Sequence, residues 1–267
     1  TWSHQQKLVG TGLTSSDYFG DDVSISGDGD TVIVGAPRYN GQRGAVYIFT
    51  RSGSTWSQED SLTVSSSVYN NFGDCVDISY DGNTAIVGAW NTNPIAAYIF
   101  TRSGTTWSQQ QQIGRPSNGV SGDKFAFSVS ISGDGNTALI GGPDANYVFV
   151  YTLSGTTWSQ QAKLTVTPSN GTYGDEFGYE MDISKDGNNV IISAHEYRTT
   201  SSPAKLYGVV YLFTRSGTTW SEAQMIPSPT GTSYSHRFGK DLAISADSNV
   251  AIMSNVLNAV YMFNYEL

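Results

Sequence analysis

Apolar residues in this chain come in short runs rather than at the three-to-four-residue spacing of an amphipathic helix. "VSIS" (Val23–Ser26) stops at Asp28-Gly29, a hairpin signal. "TVIVGAP" (Thr31–Pro37) follows and is apolar on both faces. "AVYIFTR" (Ala45–Arg51) also lacks a polar face, whereas "TWSQQQ" (Thr106–Gln111) is polar except for its tryptophan. A strand without polar alternation must be covered on both sides, and a polar strand with one aromatic suits an outer edge. The pattern therefore predicts units of three dry strands and one wet strand.

The unit recurs. "TW" stands at Trp2, Trp56, Trp107, Trp158 and Trp220; a Phe-Gly phenylalanine at Phe19, Phe72, Phe125 (followed by Ala126), Phe177 and Phe238; a turn aspartate at Asp28, Asp81, Asp134, Asp186 and Asp247. Five four-stranded antiparallel units stacked radially make an all-β, five-bladed β-propeller. The chain opens on a fourth strand and its last repeat stops after a third. The reading thus predicts one domain over residues 1–267, closed by the N-terminal strand, with Trp2–Lys7 pairing beside Val260–Phe263 to remove the exposed edges. No helix is expected.

"FGDDVSIS…VGAP" resembles the FG-GAP repeat, best known from the integrin α-chain propeller. "SVSISGDGNTA" with its later Gly-x-Pro (Ser128–Pro143) resembles the variant found in tandem in microbial, algal and large-virus surface proteins. The resemblance spans the whole chain. It implies the propeller fold and a habit of surface recognition. Integrin propellers have seven blades, and this chain supplies five.

The five copies agree in some segments and differ in others. From the Phe-Gly phenylalanine to the turn aspartate is nine residues in every copy, whereas from that aspartate to the third-strand aromatic the spacing is 19, 17, 15, 25 and 14. The second-to-third and fourth-to-first loops carry this variation at one rim, where function concentrates on a rigid scaffold. The longest, His195–Tyr207, brings His195, Glu196, Tyr197, Arg198, Lys205 and Tyr207, with Tyr39, Arg43, Trp90, Arg115, Tyr173, Tyr234, His236 and Arg237 around it. Of these, His195, Glu196, Tyr197, Arg198, Tyr207, Tyr39, Trp90 and Arg115 are the expected ligand-binding residues, tyrosine and arginine being favoured interface anchors.

Charge narrows the partners. The formal net charge of -9 argues against nucleic acid and anionic membrane, and no apolar run approaches a membrane span. The lone Cys75 excludes an internal disulfide. Thr1 is preceded by neither Met nor a leader-like segment, which reads as a processed chain. The turns Asp77-x-Ser79-x-Asp81 and Asp182-x-Ser184-x-Asp186 lack the final carboxylate of the integrin calcium loop (Ala85 and Val190 stand there), so neither calcium nor another cofactor is expected. Asp22, Cys75, Ser128, Glu180 and Asp241 hold equivalent inner-strand positions, and a carboxylate pair among them would suit glycoside hydrolysis. Asn170-Gly171-Thr172 is a glycosylation pattern. The resulting expectation is a non-enzymatic recognition or adhesion module. It is monomeric or part of a larger assembly, lies on a cell, extracellular or virion surface, and binds a protein or glycan. A lectin with repeated sites and a glycoside hydrolase are the alternatives.

Overall fold

The computed structural model describes every residue except 66–68, 92–93, 167–173, 199–206, 230–236, 257–258 and 265–267. The chain is a five-bladed, all-β propeller. The first blade is Val23–Ile25, Thr31–Ala36, Ala45–Ser52 and Thr55–Leu62, hydrogen-bonded in that order, and the next three blades repeat it. Two compact units divide the chain: Thr1–Arg115 holds blades one and two, and Pro116–Leu267 holds blades three to five.

Each blade begins with a hairpin built by the Ser-x-Asp sequence. In blade one the Ser26 hydroxyl donates to Asp28 Oδ1 (2.6 Å), the Asp30 N–H donates to the same oxygen (2.9 Å), and the Thr31 N–H donates to Ser26 Oγ (3.0 Å). Ser79, Ser132, Ser184 and Ser245 repeat these contacts with Asp81, Asp134, Asp186 and Asp247. The bonds from Ser26 and Asp30 hold the Asp28 carboxyl below the usual range. These aspartates are turn builders with an oxygen committed to the turn.

The Phe-Gly and Gly-Ala-Pro segments meet across the blade. Gly20 N–H donates to Gly35 O and Gly35 N–H to Asp22 O, each at 2.9 Å, and Gly73 with Gly88 repeats the first of these bonds. Adjacent blades approach at the same place. A Cβ on Gly35 would lie 2.0 Å from Gly73 O, and one on Gly141 2.4 Å from Gly178 O. Only glycine lets the two backbones come this near.

Within each unit the cores lie between blades. Ile33, Val46 and Ile48 of blade one pack against Val76, Ile78, Val87, Tyr98 and Phe100 of blade two. Leu139, Val148 and Val150 of blade three meet Phe177, Met181, Ile183 and Tyr211 of blade four. The Phe-Gly phenylalanine stands edge-on to the third-strand aromatics, as Phe72 does to Tyr98 at 5.5 Å and Phe177 to Tyr211 at 5.6 Å. Outside, the repeated tryptophan lies beside an arginine of its own third strand: Arg51, Arg102 and Arg215 sit 5.7, 5.5 and 5.3 Å from the Trp56, Trp107 and Trp220 rings. Trp107 Nε1 also donates to Glu59 Oε1, and Trp220 Nε1 to Gln161 Oε1, on the outer strand of the preceding blade.

Two expectations are corrected. Short helical turns do occur, at Tyr39–Gln42 and Pro143–Ala145, both in second-to-third loops where Asn40 and Asn146 take left-handed φ values. Residues 1–10 adopt no strand, and Gln5 and Gln6 instead hydrogen-bond through their side chains to Ser54 and Trp56. Among the described residues the fifth sheet has three strands, Leu242–Ile244, Val250–Ser254 and Val260–Asn264.

Candidate functional site

The residue before each Phe-Gly (or Phe-Ala) pair takes a left-handed backbone: Tyr18, Asn71, Lys124, Glu176 and Arg237 have φ of 58, 53, 54, 55 and 44°. Non-glycine residues adopt this region at a cost of roughly 1–2 kcal/mol each. The kink recurs because the chain must turn sharply to seat the phenylalanine under the blade. It presents the preceding side chain, which differs in every copy, at the loop end of the blade.

In the second unit this presentation makes a cluster. Glu176 of blade four lies beside His195 and Glu196, which follow that blade's second strand Asn189–Ala194. His195 Nε2 is 3.4 Å from Glu176 Oε2 and 3.8 Å from Glu196 Oε1. Arg237, the equivalent of Glu176 in blade five, bridges to Glu196 Oε1 at 2.7 Å, and Arg198 reaches Glu196 Oε2 at 3.3 Å. Beneath, the Tyr179 ring centre is 3.9 Å from that of His195, and the Lys240 ammonium hydrogen-bonds the Tyr179 hydroxyl. Lys124 pairs with Asp144 at 2.9 Å.

The electrostatics follow from burial. His195 is 2 % exposed, and its Nδ1 has no hydrogen-bond partner among the described residues. Burial, with Lys240 and Arg237 close by, drives its pKa down to about 3, so the imidazole is neutral. Glu176 is raised by burial and then by the Glu196 charge, against the pull of Lys124 and Arg237. The neutral His195 faces Glu176 without a counter-charge, which leaves a partly exposed carboxylate of raised basicity among cationic side chains. Glu176, His195 and Glu196 also bring one ligand atom each within 4.8 Å of one another, a spacing that would admit a metal ion. The two arginines on Glu196 and the neighbouring Lys240 oppose a further positive charge there.

The other expected residues are dispersed. His195 and Glu196 are buried rather than displayed, and Tyr197 stacks edge-on to Tyr207 at 5.3 Å against the blade three–four core. Tyr207 N–H donates to Tyr197 O, stapling the two ends of the longest loop. Tyr39 packs edge-on to Tyr47 in the first unit; Trp90 Nε1 donates to Asp74 Oδ2 at 2.5 Å; Arg115 is exposed. Lys205, Asn170, Tyr173, Tyr234 and His236 lie outside the described residues. The inner-strand acids do not act alike. Asp22 accepts from Val23 and Val76 N–H and straps blades one and two, burial raising its pKa to about 6. Asp182 does the same to Ile183 and Ile244, while Ser128 donates to Gly178 O and Asp241 is exposed. Glu176 escaped sequence reading. The signal that would have found it is the position before Phe-Gly, which runs Tyr, Asn, Lys, Glu, Arg through the copies.

Solved structures similar to this chain share its fold. A functionally unknown protein from Desulfotomaculum acetoxidans aligns over 95% of this chain and 68% of its own, with 16% identity and a TM-score of 0.63. The periplasmic gluconolactonase of Pseudomonas aeruginosa aligns over 92% and 68%, with 17% identity and a TM-score of 0.64. A candidate 6-phosphogluconolactonase from Bacteroides fragilis aligns over 92% and 67%, with 14% identity and a TM-score of 0.62. Comparison with curated proteins gave no match. The expectation of a non-catalytic adhesion module, neither enzyme nor catalyst, does not hold. The same propeller carries lactonases, and His195 and Glu196 at the start of the loop chosen as a contact surface are buried in an ionic cluster. The FG-GAP repeat model matches residues 2–49, 107–148 and 158–213, more than half of the sequence, and the chain belongs to the FG-GAP repeat family.

Proposed function

We propose that the second unit is a hydrolase of small anionic esters or lactones, with Glu176 as its general base. The observation that carries this reading is the carboxylate of raised pKa, partly exposed, set 3.4 Å from a buried neutral histidine in a cluster with Arg198, Arg237 and Lys240. Two features support it: catalytic carboxylates need a pKa moved toward neutrality, and lactonases occur among the structures of this fold.

The step assigned to the site balances within its own side chains. Glu176 takes a proton from a water molecule as the water oxygen bonds to the ester carbonyl carbon. Charge develops on the carbonyl oxygen, where the Tyr179–Lys240 pair supplies donors. The bond from carbon to the leaving oxygen then breaks, and Glu176 returns its proton to that oxygen. Arg198 and Arg237 offer guanidinium forks to a carboxylate or phosphate elsewhere on the substrate. Titrimetric hydrolysis of neutral and phosphorylated sugar lactones tests the reading. Catalysed ring opening is expected, faster for the anionic members. Rates equal to the uncatalysed background across the panel would overturn it.

A further inference from the structure

The position two residues after the phenylalanine of each Phe-Gly (or Phe-Ala) pair runs Asp21, Asp74, Phe127, Tyr179 and Lys240 through the copies. Two of the three that fall in the second unit are aromatic, and with His195 they make a row of rings. The Phe127 and Tyr179 ring centres are 5.1 Å apart, and those of Tyr179 and His195 are 3.9 Å apart. Phe127 and Tyr179 are both half-buried. Glu176 stands at the His195 end of the row, its Oε2 3.4 Å from the imidazole Nε2.

The other end is polar. Lys124 Nζ lies 5.5 Å from the Phe127 ring centre and 2.9 Å from Asp144 Oδ1. Asp144 sits in the short helical turn Pro143–Ala145, and Asn146 just after it accepts the Phe177 N–H through Oδ1, which ties this loop of blade three to the start of blade four. The charges of Lys124 and Asp144 both bear on Glu176, so the pair belongs to the same neighbourhood. Both side chains are 36 % exposed, and an ion pair this exposed adds little stability. What it offers is hydrogen bonding. An ammonium has three donors and a carboxylate several acceptor lone pairs, so one contact between them leaves capacity on each.

A ring bearing hydroxyl groups is the complement of this arrangement. Each hydroxyl both donates and accepts, and the C–H faces of a sugar ring are apolar enough to lie on aromatic rings. We propose that Lys124 and Asp144 are specificity-determining residues, which hold the hydroxyl groups of a sugar acid or its lactone laid along the Phe127–Tyr179 row with its carbonyl carbon at Glu176. The proposal rests on the reading of Glu176 as the reacting carboxylate and narrows its substrate: a polyhydroxylated ring rather than an unsubstituted ester.

Gluconate and hexanoate share a six-carbon chain and a carboxylate and differ in their hydroxyl groups. Isothermal titration calorimetry of each acid on the whole chain reads the preference without turnover. The wild type is expected to bind gluconate at least about tenfold more tightly than hexanoate, roughly the worth of one hydrogen bond to a charged group. Lys124→Met combined with Asp144→Ala should bring the two affinities within about threefold of each other. Should the double variant fail to fold, Lys124→Gln alone must lower the preference at least about threefold. No gluconate binding by the wild type, equal affinity for the two acids, or a preference that survives in the folded variants overturns the proposal. A gluconate preference that is lost in the variants, in a protein that hydrolyses no lactone, would strike the Glu176 reading and leave the hydroxyl seat standing.

Discussion

Replacing Gly35 by alanine tests why the Gly-Ala-Pro segment begins with glycine. Gly35 does not have a positive φ, so a methyl group there brings no intrinsic backbone penalty. What it meets is the next blade: the new Cβ would lie 2.0 Å from Gly73 O and 3.1 Å from Gly73 C. A carbon and an oxygen need more than 3 Å, so the two backbones must part by about 1 Å. The neighbour is main chain, tied to its own blade by the Gly73 N–H to Gly88 O bond of 3.1 Å, and cannot swing aside as a side chain would. Overpacking of this kind costs roughly 1–3 kcal/mol and sometimes more, and the rigid neighbour puts Gly35→Ala at about 3 kcal/mol. Gly53→Ala is the control. It has φ of 63° and nothing within 4 Å, so only the left-handed cost of about 1 kcal/mol applies. Urea denaturation of both variants reads the difference. A Gly35→Ala loss no greater than that of Gly53→Ala would refute the account of the blade contact.

Other outcomes follow from the same geometry. Ser79→Ala removes two hydrogen bonds at a fully buried hydroxyl, to Asp81 and from the Thr84 N–H, and is expected to cost about 2 kcal/mol by denaturant titration. Asp22 should titrate near pH 6 by carboxyl NMR. Its folded pKa lies above the unfolded 3.8, so its stabilising contribution is present below 3.8 and lost as pH rises through 6, at most about 3 kcal/mol in all. In the pH profile of hydrolysis, activity should fall as pH drops through the raised pKa of Glu176, because the base must be ionised. No inflection should come from His195, which stays neutral down to about pH 3.

The blades were legible because their signals are local: Ser-x-Asp sets a hairpin within five residues, and dry third strands announce that both faces are covered. The glycine spacing was visible, though the inter-blade approach of Gly35 to Gly73 that demands it was not. Loop length misled the search for the site. The His195–Tyr207 insertion was read as a displayed surface, yet stapling by Tyr197 and Tyr207 turns His195 and Glu196 inward. Glu176 and Arg237 are 61 residues apart and adjacent only because consecutive blades stack with the same left-handed kink before Phe-Gly.

The assignment of Glu176 as the base is tested most directly by kcat/KM for lactone hydrolysis in Glu176→Gln beside the wild type, with melting temperatures measured on both. Glutamine keeps the size and a polar group beside His195, so the fold should hold. Loss of a general base typically removes about 10²- to 10⁴-fold in rate, and a fall of at least 10² is expected at unchanged melting temperature. A Glu176→Gln variant that hydrolyses the lactone as fast as the wild type would contradict the account.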